Sequence, residues 1–166
     1  FAFYHKDYEQ WATLNCQVIN IWEEKISNKI STYYLDEYIS NYNSAITSLL
    51  TIGDYDAALQ YLAAFQNLEN RYKKIYKFTK EQKESWQNLL VASEFRVYFV
   101  TKKYDKFLEI EERLLESFNH SNPKLWKANA AMFIYYFAHV HFLKHNYQHC
   151  VDLLADLLHT DFRKEG

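Results

Sequence analysis

Apolar positions along this chain recur at the spacing of helix faces, in long stretches separated by short polar breaks. The same register returns after four tyrosines, Tyr8, Tyr55, Tyr104 and Tyr147. Three residues on stand Trp11, Ala58, Phe107 and Cys150; four on, Ala12, Leu59, Leu108 and Val151; ten on, Val18, Phe65, Leu114 and Leu157. Offsets of 3, 4 and 10 share one face of an α-helix. Each tyrosine is therefore expected to open an amphipathic helix that buries one stripe, with Phe65, Leu114 and Leu157 in the interior. Glu23, Glu24, Gln60, Glu112, Arg113 and Asp156 fall on the other faces.

A second periodic stretch precedes each tyrosine, at about 31–52, 82–102 and 123–145, with a truncated copy at about 1–5. The breaks between the two stretches look alike: His5-Lys6-Asp7-Tyr8, Ile52-Gly53-Asp54-Tyr55, Lys102-Lys103-Tyr104-Asp105 and His145-Asn146-Tyr147. Their tyrosines are spaced by 47, 49 and 43 residues, a period typical of helical solenoids. Asp7, Asp54 and Asn146 are suited to cap the helices that follow. Thr79 and Gln82 have the spacing of a capping box, and Asn122-Pro123 puts proline at a first helical position. The pattern predicts a single all-α domain over 1–166, an α–α superhelix of antiparallel hairpins at about 1–27, 31–77, 82–119 and 123–159. A hairpin cannot bury both faces alone, so the first helix and the tail Thr160–Gly166 read as stubs of neighbours in a longer protein.

Composition agrees. The chain has 2 Gly and 1 Pro in 166 residues, where an all-β chain would need turn residues every 8–12 positions. About half of it is hydrophobic, which excludes a disordered segment. A net charge of −2 gives no field toward nucleic acid or an anionic membrane. The most apolar run, Ala130 to Leu143, is too short to span a bilayer and carries His139 and His141. Cys16 and Cys150 form no CxxC pair and read as reduced, buried thiols of a cytoplasmic protein.

The stretch Gly53-Asp54-Tyr55-Asp56-Ala57-Ala58-Leu59-Gln60-Tyr61-Leu62 resembles the turn and second helix of a tetratricopeptide repeat. Gly53, Tyr55 and Ala58 match the family's turn glycine, packed aromatic and small inter-helix residue. The other hairpins depart from it: the small position holds Trp11, Phe107 and Cys150, and the glycine position Lys6, Lys102 and His145. No proline ends a hairpin, and the spacing exceeds the family's 34 residues. A HEAT-like solenoid or an irregular helical bundle satisfies the same pattern.

The resemblance implies a concave groove lined by the first helix of each hairpin. In that register stand Asn43 and Thr47, then Ala92, Arg96 and Phe99, then Tyr135, His139 and Phe142. Asn, Arg and Tyr there would hold an extended peptide through its backbone and anchor side chains. The paired lysines of a clamp for acidic C-terminal tails are missing, since Asn43, Thr47, Ser93, Met132 and Tyr136 occupy those places.

Other chemistry finds little footing. His139, His141, His145 and His149 gather beside Cys150, but there is no HExxH and no second cluster to supply carboxylates, so no metal is assigned. No Glu-x-x-His pairs, glycine-rich phosphate loop or nucleophile–base arrangement occurs, so no catalytic residue and no cofactor is assigned. Arg71-Tyr72-Lys73-Lys74-Ile75-Tyr76-Lys77-Phe78-Thr79-Lys80 is basic and aromatic, as single-stranded nucleic acid requires, but its cations also suit a helix C-terminus. The expected function is a non-enzymatic protein- or peptide-binding scaffold without membrane or nucleic-acid partners. The alternatives are a ligand- or nucleic-acid-responsive regulator with an upstream effector domain, and an enzyme accessory or metal-binding domain.

Overall fold

The computed structural model describes residues 2–26, 34–72, 78–114 and 123–159, with side chains for 7–24, 34–72, 78–114 and 131–155. Ile75, Tyr76, Asn122, the tail Thr160–Gly166 and the Leu157 side chain lie outside them. The elements are α1 (Ala2–Ile26), α2 (Leu35–Ile52), α3 (Tyr55–Gln66), α4 (Leu68–Tyr72), α5 (Lys80–Val100), α6 (Tyr104–Glu109), α7 (Pro123–Leu143) and α8 (Tyr147–His159), with a further helical turn at 111–114. There is no strand among the described residues.

The three helices that precede a tyrosine start and stop close to their expected bounds, and local chemistry explains why. Thr79 accepts the Gln82 N–H through its hydroxyl at 3.2 Å while Gln82 Oε1 accepts the Thr79 N–H at 3.1 Å, so the capping box forms. Asp54 caps α3 by accepting from the Ala57 N–H at 3.1 Å. Pro123 is the first residue of α7.

Three of the expected turns share one backbone geometry. Gly53, Lys102 and His145 all have positive φ, at 82°, 56° and 62°. At each, the left-handed residue donates to the carbonyl three back, and the next residue to the carbonyl five back: Gly53 to Leu50 and Asp54 to Leu49, Lys102 to Phe99 and Lys103 to Tyr98, His145 to Phe142 and Asn146 to His141. This is the Schellman closure, which satisfies two orphan carbonyls of the preceding helix. Lys102 and His145 carry a Cβ in that conformation, at a cost of roughly 1–2 kcal/mol each.

The fourth expected turn does not exist. Residues 5–8 lie within the unbroken helix α1, so Asp7 caps nothing and the 1–27 segment is no hairpin. Nothing in His5-Lys6-Asp7 forces an exit from helical φ/ψ, and a continuous α1 can lie along α2, its packing partner. The buried stripe of α1 shifts accordingly. Ala12 and Ile19 are buried, while Trp11, Leu14 and Ile21 are exposed.

The second helix of the 31–77 hairpin is also broken, at Asn67 between α3 and α4. Beside the break the Trp86 indole donates to the Phe65 carbonyl at 3.2 Å.

The chain divides into two compact units, residues 1–103 and 104–166. In the first, α1 packs on α2, α2 on α3 and α5, and α3 on α4 and α5. Its core contains Tyr38, Ile39, Tyr42, Ile46, Ala58, Leu62, Phe65 and Leu68, all nearly inaccessible. In the second, α7 and α8 form a hairpin with α6 against α7, around Phe107, Ile110, Leu114, Phe137 and Val140. The register of the sequence holds at Ala58, Phe107 and Cys150 and at Phe65 and Leu114, which are buried as expected, whereas Val151 is exposed. Both cysteines are free thiols; Cys150 is buried, but Cys16 is only partly covered. No helix among the described residues is long and apolar enough to cross a membrane.

Candidate functional site

Asn43 and Thr47, on one helix, and Arg96, about fifty residues further on, converge on the facing surfaces of α2 and α5. Asn43 and Thr47 are one helical turn apart on α2, and Arg96 follows Ala92 and Ser93 on α5 by similar steps. The guanidinium donates from Nη2 to Asn43 Oδ1 at 2.5 Å, from Nη1 to Thr47 Oγ1 at 2.9 Å, and from Nε to the Ala92 carbonyl at 3.1 Å. The Ser93 hydroxyl lies 3.2 Å from the same Asn43 oxygen. Asn43, Thr47, Ala92 and Arg96 are each half-buried.

Among the described residues, every group bonded to Arg96 is uncharged. The ion pair with Glu94 that its neighbourhood invites does not form. Glu94 instead accepts from Gln66 Nε2 at 2.7 Å, and Gln66 also donates to the Tyr98 hydroxyl at 3.0 Å. Burial, with nothing opposing it, pulls the Arg96 pKa below its ordinary value. The site is thus a cation held in place by three neutral acceptors. Those bonds occupy three of the five guanidinium N–H groups, so each terminal nitrogen keeps one further hydrogen to donate.

Phe99 is half-buried on the last turn of α5. Tyr135 and His139 belong to the second unit, on α7, where both are exposed and their rings stack at 6.4 Å and 18°. Phe142 is exposed on the same helix and packs its ring edge-on to Tyr147 at 5.5 Å.

A polar cluster that the sequence did not reveal joins α1, α2 and α4. Glu23, placed off the buried stripe by its register, turns inward. Its Oε1 pairs with Arg71 Nη2 at 2.9 Å and accepts from the hydroxyls of Tyr38, at 3.1 Å, and Tyr42. Arg71 also donates to Tyr42 at 3.3 Å and Tyr72 at 3.1 Å. Burial would raise the Glu23 pKa, but the donors Tyr42 and Arg71 outweigh it and hold the carboxyl below its ordinary value. Burial and the bond to Glu23 push the Tyr42 phenol up to about 12. The i,i+4 spacing of Tyr38 and Tyr42 was the available signal for paired phenols on one helix face. Of the basic and aromatic segment, Arg71 is thereby engaged within the fold and Tyr72 and Phe78 are buried; residues 73–77 lie outside the described residues.

The histidine group near Cys150 separates. His145 Nδ1 lies 2.7 Å from the Tyr147 hydroxyl. His141 and His149 turn toward each other, with ring centroids 4.2 Å apart, and both face Glu111. His141 Nε2 is 2.8 Å from Glu111 Oε2, and His149 Nε2 is 3.4 Å from Oε1. Glu111 is the carboxylate that sequence reasoning could not supply.

No protein-family model, curated protein or solved structure matches the chain.

Proposed function

We propose that the chain is a non-enzymatic protein- or peptide-binding scaffold of tetratricopeptide-like helix hairpins, anchored by the Arg96 face of α2 and α5. The reading rests on one observation: a half-buried guanidinium, oriented by Asn43, Thr47 and the Ala92 carbonyl, with no carboxylate among its partners in the described residues. A charge removed from water is ordinarily paired. Here the chain fixes the fork and leaves the counter-charge to be supplied, and arginine in such a frame is a common anchor of protein recognition. The expected ligand is a peptide carrying a carboxylate, either a side chain or a C-terminus. The shared Schellman geometry at Gly53, Lys102 and His145 supports the hairpin architecture. Free thiols at Cys16 and Cys150 fit a reducing cytoplasm.

Selection of displayed random peptides on the whole chain tests the reading. Enriched peptides should share a carboxylate at one position. Arg96→Gln should weaken the winning peptide about tenfold or more, and Arg96→Lys less, with the melting temperature within a few degrees of wild type. Failure to enrich any peptide, or equal binding by Arg96→Gln, overturns it.

A further inference from the structure

The structure assigns a binding site for a divalent transition-metal ion of the zinc type to Glu111, His141 and His149. The site lies wholly within the second unit and is independent of the Arg96 reading.

Three segments converge there: the helical turn 111–114, the last turn of α7 and the first turn of α8. The Schellman turn at His145 reverses the chain between the two helices, which brings residues eight apart onto facing surfaces. The potential ligand atoms, one from each residue, all lie within 4.8 Å of one another. Zinc bonds to imidazole nitrogen and carboxylate oxygen at about 2.0–2.2 Å, so tetrahedral neighbours sit about 3.3 Å apart. The two imidazoles meet different oxygens of Glu111, His149 Nε2 at 3.4 Å from Oε1 and His141 Nε2 at 2.8 Å from Oε2, so an ion between them takes the carboxylate through either oxygen after small side-chain shifts. The movable partner is available: the His149 side chain is about half exposed, while those of Glu111 and His141 are about nine-tenths buried.

The chemistry of the set is selective. Two imidazoles and one carboxylate suit zinc and its transition-metal neighbours rather than calcium or magnesium, which prefer all-oxygen shells. Three protein ligands leave a fourth position, and the exposed His149 places it toward solvent.

A further contact supports the assignment. Asn146 Nδ2 lies 3.4 Å from His141 Nδ1. With the amide nitrogen donating, His141 carries its proton on Nε2 and gives it to Glu111. A metal on Nε2 requires that proton to move to Nδ1, where it needs an acceptor. Rotation of the Asn146 amide presents Oδ1 in the same place, the outer-shell support that metal-bound histidines usually have.

Calorimetric titration of the whole chain with zinc chloride tests the site. One ion should bind per chain and raise the melting temperature of the protein. His149→Ala and Glu111→Gln should each weaken binding at least about tenfold while retaining wild-type helical circular dichroism, and His145→Ala, outside the trio, should leave it unchanged. Cobalt should bind with the same stoichiometry and give the intense visible absorption of a low-coordinate site, lost in His149→Ala. If zinc shows no saturable binding, the trio is a hydrogen-bonded clamp only and the assignment fails. It fails equally if His149→Ala binds as wild type. Should Glu111→Gln unfold, His149→Ala decides alone, since its side chain is the exposed one.

Discussion

Arg71 and Arg96 lie in the same compact unit; the guanidinium of Arg71 ties α4 to α1 and α2, and that of Arg96 ties α5 to α2. Their surroundings differ in one respect. Arg71 meets the Glu23 carboxylate and the phenols of Tyr42 and Tyr72; Arg96 meets an amide, a hydroxyl and a peptide carbonyl. The consequences for the proton are opposite. Burial works against the charge of Arg71, but Glu23 and Tyr42 outweigh it and raise the pKa. At Arg96 burial acts without opposition and lowers it. A hydrogen-bond tally would score the two arginines alike, while a charge tally separates an ion pair from a cation whose partners among the described residues are all neutral.

The contrast is tested most directly by removing each cation in turn. Arg71→Met strips Glu23 of its ion pair and two phenols of a donor, and should cost about 1–3 kcal/mol. Arg96→Met discards a desolvated charge, and its former partners are half-exposed and can turn to water, so it should cost less than about 1 kcal/mol. Urea unfolding followed by circular dichroism measures both. Equal losses would place Arg96 in the frame of the protein and remove the ground for treating it as an anchor.

The same pair shows what could be read from the sequence. The helices were legible because apolar residues repeat at offsets a helix face imposes, and the breaks at Gly53, Lys102 and His145 because each separates two such stretches. The resemblance among the breaks was misleading once, at Lys6, where the chain stays helical. Asn43, Thr47 and Arg96 were chosen from the groove that the tetratricopeptide resemblance implies and from their register in it, and the structure brings Arg96 into hydrogen-bond contact with the other two across about fifty residues. Their bonding to one another was hidden, because register gives the face of a residue and not what stands opposite. The inward turn of Glu23 was hidden for that reason too, since its partners come from α2 and α4. So was the contact beside the break at Asn67, made by an indole 21 residues beyond Phe65. Glu111 sits 30 residues before His141, too far for any motif.

Acid should distinguish the two arginine sites by a smaller effect. Glu23 titrates below the ordinary 4.5 in the folded chain. A carboxyl with a depressed folded pKa contributes stability that is fully present above its unfolded value and lost as pH falls through its folded one. Thermal stability of the wild type should therefore decline below about pH 4.5 more steeply than that of Glu23→Gln, which has no such proton to take up. Arg71→Met should flatten the same limb, because the donor that depresses Glu23 is gone. Arg96→Met should leave the limb as in wild type, since no carboxylate among the described residues is bonded to it. A changed acid limb in Arg96→Met would mean that the two sites are coupled.

The smallest change in stability should come from making the second site resemble the first. Asn43→Asp puts a carboxylate where Oδ1 already accepts from Arg96 Nη2 at 2.5 Å, with almost no change of shape. Both bonds at Asn43 Oδ1, from Arg96 and from Ser93, are accepted by oxygen, so the substitution keeps each of them. The new pair is half-exposed, and gains of that kind are about 0.5–1 kcal/mol and shrink with added salt. The Arg96 pKa should move upward, toward the behaviour of Arg71. The functional effect should be far larger than the structural one. With its counter-charge supplied internally, Arg96 has little left to offer a peptide carboxylate, and the new negative charge repels one. Binding of a selected carboxylate peptide should drop at least about tenfold, in a protein at least as stable as wild type. A variant that keeps its peptide affinity would show that Arg96 does not attract the ligand through unpaired charge, and one that loses more than about 1 kcal/mol would show that the neutral acceptors were themselves the purpose of the site.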